Sequence, residues 1–198
     1  MEKDILEKIK RFKFVAGCDE AGAGCGAGNL LVAAVIFEGP PPLGLADSKK
    51  LSEKSREKLF EDIMKEAKDV SIISVSPQKI DEINILQARM LGFSLALYGL
   101  EKVDYAIIDG NRLPKDAPCP MDFLVKGDSL FPSIMAASIV AKVTRDREML
   151  QAEKDYPGYG FAKHKGYLTK LHLDALSKMG PCPIHRLSYK PVANASLI

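Results

Sequence analysis

An unbroken apolar run of eight residues, Leu30 to Phe37 (LLVAAVIF), is the longest in the chain and stops at the proline loop EGPPPLG (38–44). A membrane helix needs roughly 18–20 apolar residues, so this run reads as a strand. Similar short runs occur at FVAGC, VSIISV and YAIID. Strands are expected at 14–19, 30–37, 70–76, 103–108 and 121–126. Helical periodicity is expected over 48–68, 78–100, 132–153 and 165–178. In the first helix, Ser48 or Ser52 suits the cap and Leu51, Leu59, Ile63 and Met64 share a face. Pro132 suits the opening turn of the third, where SIMAASIVAKV is apolar enough to be buried. Further loops dense in Pro and Gly lie at 109–120, 155–161 and 179–185. Two early strands, then alternating helix and strand, then trailing helices indicate an α/β fold with a mixed sheet flanked by helices. The expected division is a catalytic domain over 1–153 and a small, basic C-terminal helical extension over 154–198.

At 198 residues, 46% hydrophobic and 27% charged, the chain excludes a disordered or coiled-coil protein. The first 14 residues are charged throughout and lack the apolar centre of a signal peptide, so a cytoplasmic monomer is expected, with no membrane partner. Four cysteines form no C-x-x-C pair and only three histidines are present, which argues against zinc. Any metal would be a hard ion held by carboxylates. Net charge is only +2, yet residues 151–198 carry seven Lys and Arg against three Asp and Glu. A basic quarter beside a mildly acidic body suits a polyanion on one side and a metal on the other.

Three acidic positions end apolar runs beside a glycine. Asp19 and Glu20 follow FVAGC and lead into AGAG, Asp109 ends YAII, and Asp128 follows FLVKG before Pro132. Strand ends are where α/β folds place function, because pairing stops and a ligand can approach. A few carboxylates with phosphate and water can hold two Mg²⁺ or Mn²⁺ ions for phosphodiester hydrolysis. Neighbouring strand residues point to opposite faces, so Asp19 and Glu20 share one site only if the strand distorts. Each acid alone also fits a solvated strand end, and Asp128 fits a favourable charge at a helix start. Gly22, Gly24 and Ala27 match G-x-G-x-x-A, but a dinucleotide fingerprint needs a helix next, and NLLVAAVIF reads as a strand.

The words AGCDEAGAGCGAGNLLVAAVIF, ADSKKLSEKSRE, IIDGN, KGDSLFPSIMAASIVAKVTRD, YPGYGFAKHKGYLTKLH and GPCPIHRLSYKPV, in this order across residues 14–192, resemble ribonuclease HII. The resemblance implies a ribonuclease H-like fold. It also implies an Mg²⁺- or Mn²⁺-dependent endonuclease that cuts the RNA strand of RNA–DNA hybrids. The same enzyme would incise 5′ to ribonucleotides embedded in duplex DNA, a role in ribonucleotide excision repair. By position, Asp19, Glu20, Asp109 and Asp128 fall on the family's metal-binding acids, and Tyr167 on the tyrosine that stacks on the junction sugar. Lys49 and Lys50 would approach substrate phosphates, Gly22 and Gly24 keep the backbone part of the junction motif, and Arg145 with Asp146 matches an R-D pair read as structural support. His164, His172 and His185 are read as structural or phosphate-adjacent.

One departure stands out. Where the family reads D-E-A-G-R-G, this chain has Asp19-Glu20-Ala21-Gly22-Ala23-Gly24, so the junction-reading arginine is absent. Losing a guanidinium contact of about 1.5–3 kcal/mol implies an enzyme weakened roughly 10–100-fold. Two other readings share the fold: a nucleic-acid-binding module that has lost hydrolysis, and a nuclease or phosphotransferase with a different substrate.

Overall fold

A computed structural model of the chain describes residues 2–46, 48 and 51–195. Its sheet is built from β1 (Val15–Ala21), β2 (Leu30–Ile36), β3 (Asp69–Val75), β4 (Tyr105–Asp109) and β5 (Met121–Leu124). Their spatial order is β3-β2-β1-β4-β5. β1 is antiparallel to β2 and parallel to β4, β2 is antiparallel to β3, and β4 is parallel to β5. The expected mixed α/β sheet is therefore present, with all five strands where the apolar runs put them.

Every residue of β2 is buried. Its alternation divides the core between two helical layers. Leu30, Val32, Ala34 and Ile36 pack with Phe93, Ala96 and Leu97 of α3 (Pro77–Tyr98), while Leu31, Ala33 and Val35 pack with Ala136, Ala137 and Val140 of α4 (Pro132–Asp155). Each fully buried Leu, Ile or Val contributes roughly 1.5–3 kcal/mol, so the central strand holds both layers to the sheet. α4 lies along β1 so closely that a Cβ at Gly17 would meet Ile134 N and Ser133 C at 2.3 Å. Only glycine admits that approach.

α2 (Glu53–Glu66) buries Leu59 and Ile63 on the α4 layer, with Ser52 as cap. Met64, expected on that face, is exposed, because the apolar stripe is narrower than the spacing suggests. α3 breaks at Asn84, whose φ is 66°. The Asn84 Oδ1 accepts from the backbone N–H groups of Leu86 and Gln87 at 3.0 and 3.1 Å, capping the second half. Sequence periodicity spans this break. It also passes over α1 (Glu2–Ile9), whose Ile5 packs with Ile107, Leu124 and Ile134.

The chain then runs through α5 (Phe161–His164), α6 (Lys170–Met179) and α7 (Lys190–Ala195). This segment packs Phe161, Leu176 and Val192 around Ala27 and Met149. Among the described residues, no helix is long and apolar enough to cross a membrane.

Candidate active site

The pairing pattern gathers the acids. β1 and β4 are parallel, with Gly17 beside Ile107 and Cys18 beside Ile108, where their pairing ends. Asp19 and Asp109 are the next residues on each strand, and the two-residue period points both to the α4 side. β1 itself continues to Ala21, paired with Leu31 of β2. Asp19 and Glu20 thus lie inside the strand, not at its end as expected, but on the β4 side they flank an open end.

Asp109 Oδ1 accepts from the Gly127 N–H at 2.7 Å. That bond fastens β4 to the 3₁₀ turn Gly127–Ser129, which carries Asp128 into a buried position. Asp19, Glu20, Asp109 and Asp128 line one pocket of about 300 Å³, together with Gly22, Ala23, Gly24, Ser48, Arg56, Ser138, Lys142, Arg145 and Tyr167. No strand distortion is required to bring Glu20 there. It takes the opposite face from Asp19, with Oε1 2.8 Å from Arg89 Nε and Oε2 accepting from Arg89 Nη2 at 3.0 Å.

Asp19 is 6% exposed. Burial, then the nearby Glu20 and Asp109 carboxylates, push its pKa well above the usual carboxylate range, against the Ser138 hydroxyl and the Glu20 N–H. The Glu20 N–H donates to Asp19 Oδ1 at 2.7 Å. A buried anion beside other anions is unfavourable alone and becomes favourable when a cation joins it. The donors are all carboxylate oxygens, the type that Mg²⁺ and Mn²⁺ select. Among the described residues, no three acid, thiol or imidazole groups converge on one point. The acids line a wall, and Glu20 is held by Arg89.

The rest of the lining includes cationic and aromatic side chains. Lys142 pairs with Asp146 at 2.7 Å, and Arg56 Nη1 donates to the carbonyls of Ser48 and Leu51 at 3.1 and 2.6 Å. The Tyr167 ring is half-exposed, and its hydroxyl meets the Cys25 thiol. Lys49 and Lys50 lie outside the described residues. Gly22 has φ +92°, and a Cβ there would meet Arg145 Nε at 2.0 Å. Gly24 faces open space. The glycine loop leads into β2, a strand and not a helix, which removes the dinucleotide fingerprint.

Arg89, Arg56, Lys142 and Ser138 were not singled out from the sequence. The only signal for Lys142 and Ser138 was their place in the AASIVAKVTRD word, and for Arg56 in ADSKKLSEKSRE. None of the three histidines lines this pocket. The Cys182 N–H donates to His185 Nδ1 (2.8 Å), which leaves the His185 Nε2–H to donate to His172 Nε2 (2.9 Å) and the His172 Nδ1–H to donate to the Tyr167 carbonyl (3.0 Å). His164 stacks on His172 at 4.3 Å. Burial, chiefly, holds His172 and His185 down at about 4. These are structural histidines.

A larger groove of about 760 Å³ runs between α3 and residues 112–116. Its described lining is mostly apolar and has Asp116 as its single carboxylate, so it lacks the means for this chemistry.

The family model described as Ribonuclease HII matches residues 16–192. A ribonuclease HII of Marinomonas sp. (strain MWYL1) is 51% identical over 191 residues, 95% of this chain and 96% of that one. Another, of Xylella fastidiosa (strain M12), is 52% identical over 181 residues, 90% of this chain and 77% of that one. Among solved structures, the ribonuclease H2 from Pyrococcus horikoshii OT3 superposes with a TM-score of 0.77 at 26% identity, covering 93% of this chain and 97% of that one.

Proposed function

The chain belongs to the ribonuclease HII family, endonucleases acting on RNA–DNA hybrids, and from that premise we propose that Asp19, Glu20, Asp109 and Asp128 form its catalytic metal site. We further propose that it incises 5′ to ribonucleotides embedded in duplex DNA as well as cutting hybrids. The observation that carries this reading is the lining of one pocket by four acids from three chain segments, with Asp19 driven toward its neutral form by burial and then by the Glu20 and Asp109 carboxylates.

These carboxylates would hold Mg²⁺ or Mn²⁺. A divalent ion bound there supplies activation of the attacking water and stabilisation of the leaving oxygen. The chain's own residues do the rest. Ser138 and the Glu20 N–H orient Asp19. The Gly127 N–H orients Asp109, and Arg89 orients Glu20 and offsets its charge. Lys142, Arg56 and Arg145 make the pocket attractive to phosphate. Tyr167 offers a ring to pack against the sugar, and Gly22 and Gly24 allow the backbone close to the minor groove, where the 2′-hydroxyl distinguishes RNA from DNA. Tyr167 comes from residues 154–198, which we propose as a helical extension that completes the substrate side of the site.

The test uses Mn²⁺ and three duplexes of one sequence: an RNA–DNA hybrid, DNA with one ribonucleotide, and all-DNA. Products are expected from the first two only, with the second cut 5′ to the ribonucleotide. Cleavage of the all-DNA duplex, or binding of hybrid without product, overturns the reading.

A further inference from the structure

Two arginines are almost fully buried, at 1% (Arg145) and 0% (Arg186) exposure. Both spend their donors on backbone carbonyls of the loop between β1 and β2. Arg145 donates to Ala27 O at 3.0 Å and Asn29 O at 3.2 Å, and also to Lys165 O at 2.7 Å. Arg186 donates twice to Gly28 O, from Nε at 3.0 Å and Nη2 at 2.8 Å, and from Nη1 to Ala23 O at 3.1 Å. Its Nη1 also donates to the Tyr189 hydroxyl at 3.1 Å, and that hydroxyl donates to Ala23 O at 2.6 Å. The Arg186 N–H donates to Gly26 O at 2.8 Å.

A buried guanidinium is costly to keep, and its fork of donors is rigid. A cluster of carbonyls captured this way is held in a single arrangement. The Ala23 carbonyl matters most. There is no cis peptide bond among the described residues. In a trans peptide the N–H of the next residue points opposite to the C=O. Gripping Ala23 O from the Arg186–Tyr189 side therefore turns the Gly24 N–H to the other side. Gly24 lines the acid pocket and faces open space. The chain lacks an arginine at position 23, so ribose reading here falls on this backbone.

We propose that Arg186 and Tyr189 are positioning residues for ribose recognition. From the C-terminal segment they fasten the Ala23 and Gly28 carbonyls, which presents the Gly22–Gly24 backbone to the sugar edge of a ribonucleotide. This rests on the assignment of the acid pocket as the hydrolytic site.

The experiment measures binding, with Ca²⁺ present, of a DNA duplex carrying one ribonucleotide and of the all-DNA duplex of the same sequence. Tyr189→Phe keeps the ring on which Arg186 packs at 5.4 Å and removes only the hydroxyl. It is expected to lower the preference for the ribonucleotide duplex about 3–10-fold, one hydrogen bond's worth, with all-DNA binding unchanged. Arg186→Lys keeps charge but loses the fork, and is expected to lower the preference further. Tyr98→Phe, which removes an exposed hydroxyl bonded to Asp116, is expected to change neither binding constant. Full preference in a folded Tyr189→Phe protein overturns the proposal, as does equal weakening on both duplexes. If the unaltered protein shows no preference at all, the ribonucleotide reading itself fails.

Discussion

Two regions of this protein bury ionisable groups, and they do so in opposite ways. At the open end of β1 and β4, like charges are crowded together, and Asp19 is left with a raised pKa that its hydrogen bonds do not cancel. In the C-terminal segment and the part of α4 it packs on, His164, His172, His185, Arg186 and Arg145 of α4 each find a matched partner. One region is resolved without any ligand. The other, on the assignment proposed above, is resolved by a bound cation. The difference separates a polar cluster built for stability from one built for chemistry, since unrelieved electrostatic cost is retained where it serves a function.

The sharpest way to break this contrast is Asp19→Asn or Asp128→Asn. Loss of a carboxylate ligand is expected to lower kcat at least ~10³-fold, equivalent to several kcal/mol of charge stabilisation. In the absence of metal, Asp19→Asn is expected to unfold no lower in temperature than the unaltered protein, because it removes the crowded charge. A fully active Asp128→Asn enzyme would remove that residue from the site.

Metal binding comes next. Mn²⁺ at 100 times its Kd is expected to stabilise the folded protein by about 2.7 kcal/mol. Thermal unfolding should register this, and Asp19→Asn should lose most of it. Equal stabilisation of both proteins would place the ion elsewhere.

Ala23→Arg acts on the loop between the two regions. Position 23 lines the pocket, so a guanidinium there is expected to raise kcat/KM on a duplex with one ribonucleotide about 10–100-fold. No gain would overturn the expectation that Ala23 weakens the enzyme.

The smallest effect is titration of the histidines. His172 and His185 are held at about 4 in the folded chain, against about 6.5 when unfolded. As pH falls from 6.5 toward 4, the unfolded chain takes up protons first. Stability is thus full above about 6.5 and declines below it, by up to about 1.4 kcal/mol per pH unit for each group. Denaturant unfolding across that range should show the slope, and His172→Gln should flatten it. An unaltered slope in that variant would mean the histidines are not the cause.

Much of the fold was legible because the strands are short apolar runs bounded by Pro and Gly. LLVAAVIF and YAIID can hardly be anything else in a chain of this composition. α1 is missed by apolar periodicity because its eight residues are mostly charged; among the described side chains, Ile5 and Ile9 tie it to the core. The break at Asn84 went unseen because an asparagine in mid-helix leaves the apolar spacing on either side intact. Within the site, the four acids and Tyr167 could be picked out as residues. Their partners could not: Arg89 meets Glu20 across 69 residues and Arg186 meets Ala23 across 163. Sequence spacing carries no information about bonds of that span.

Residue order by itself determined the five strands, most of the helices, the family resemblance and which acids stand out, because periodicity and motif words are local properties. Only the tertiary structure decided that parallel pairing of β1 with β4 sets Asp19 and Asp109 side by side. It alone decided that Glu20 turns to Arg89, and that two arginines close on the glycine loop. Those outcomes depend on the register and layering of distant segments, and the energy of a buried charge is set by whatever the fold brings around it.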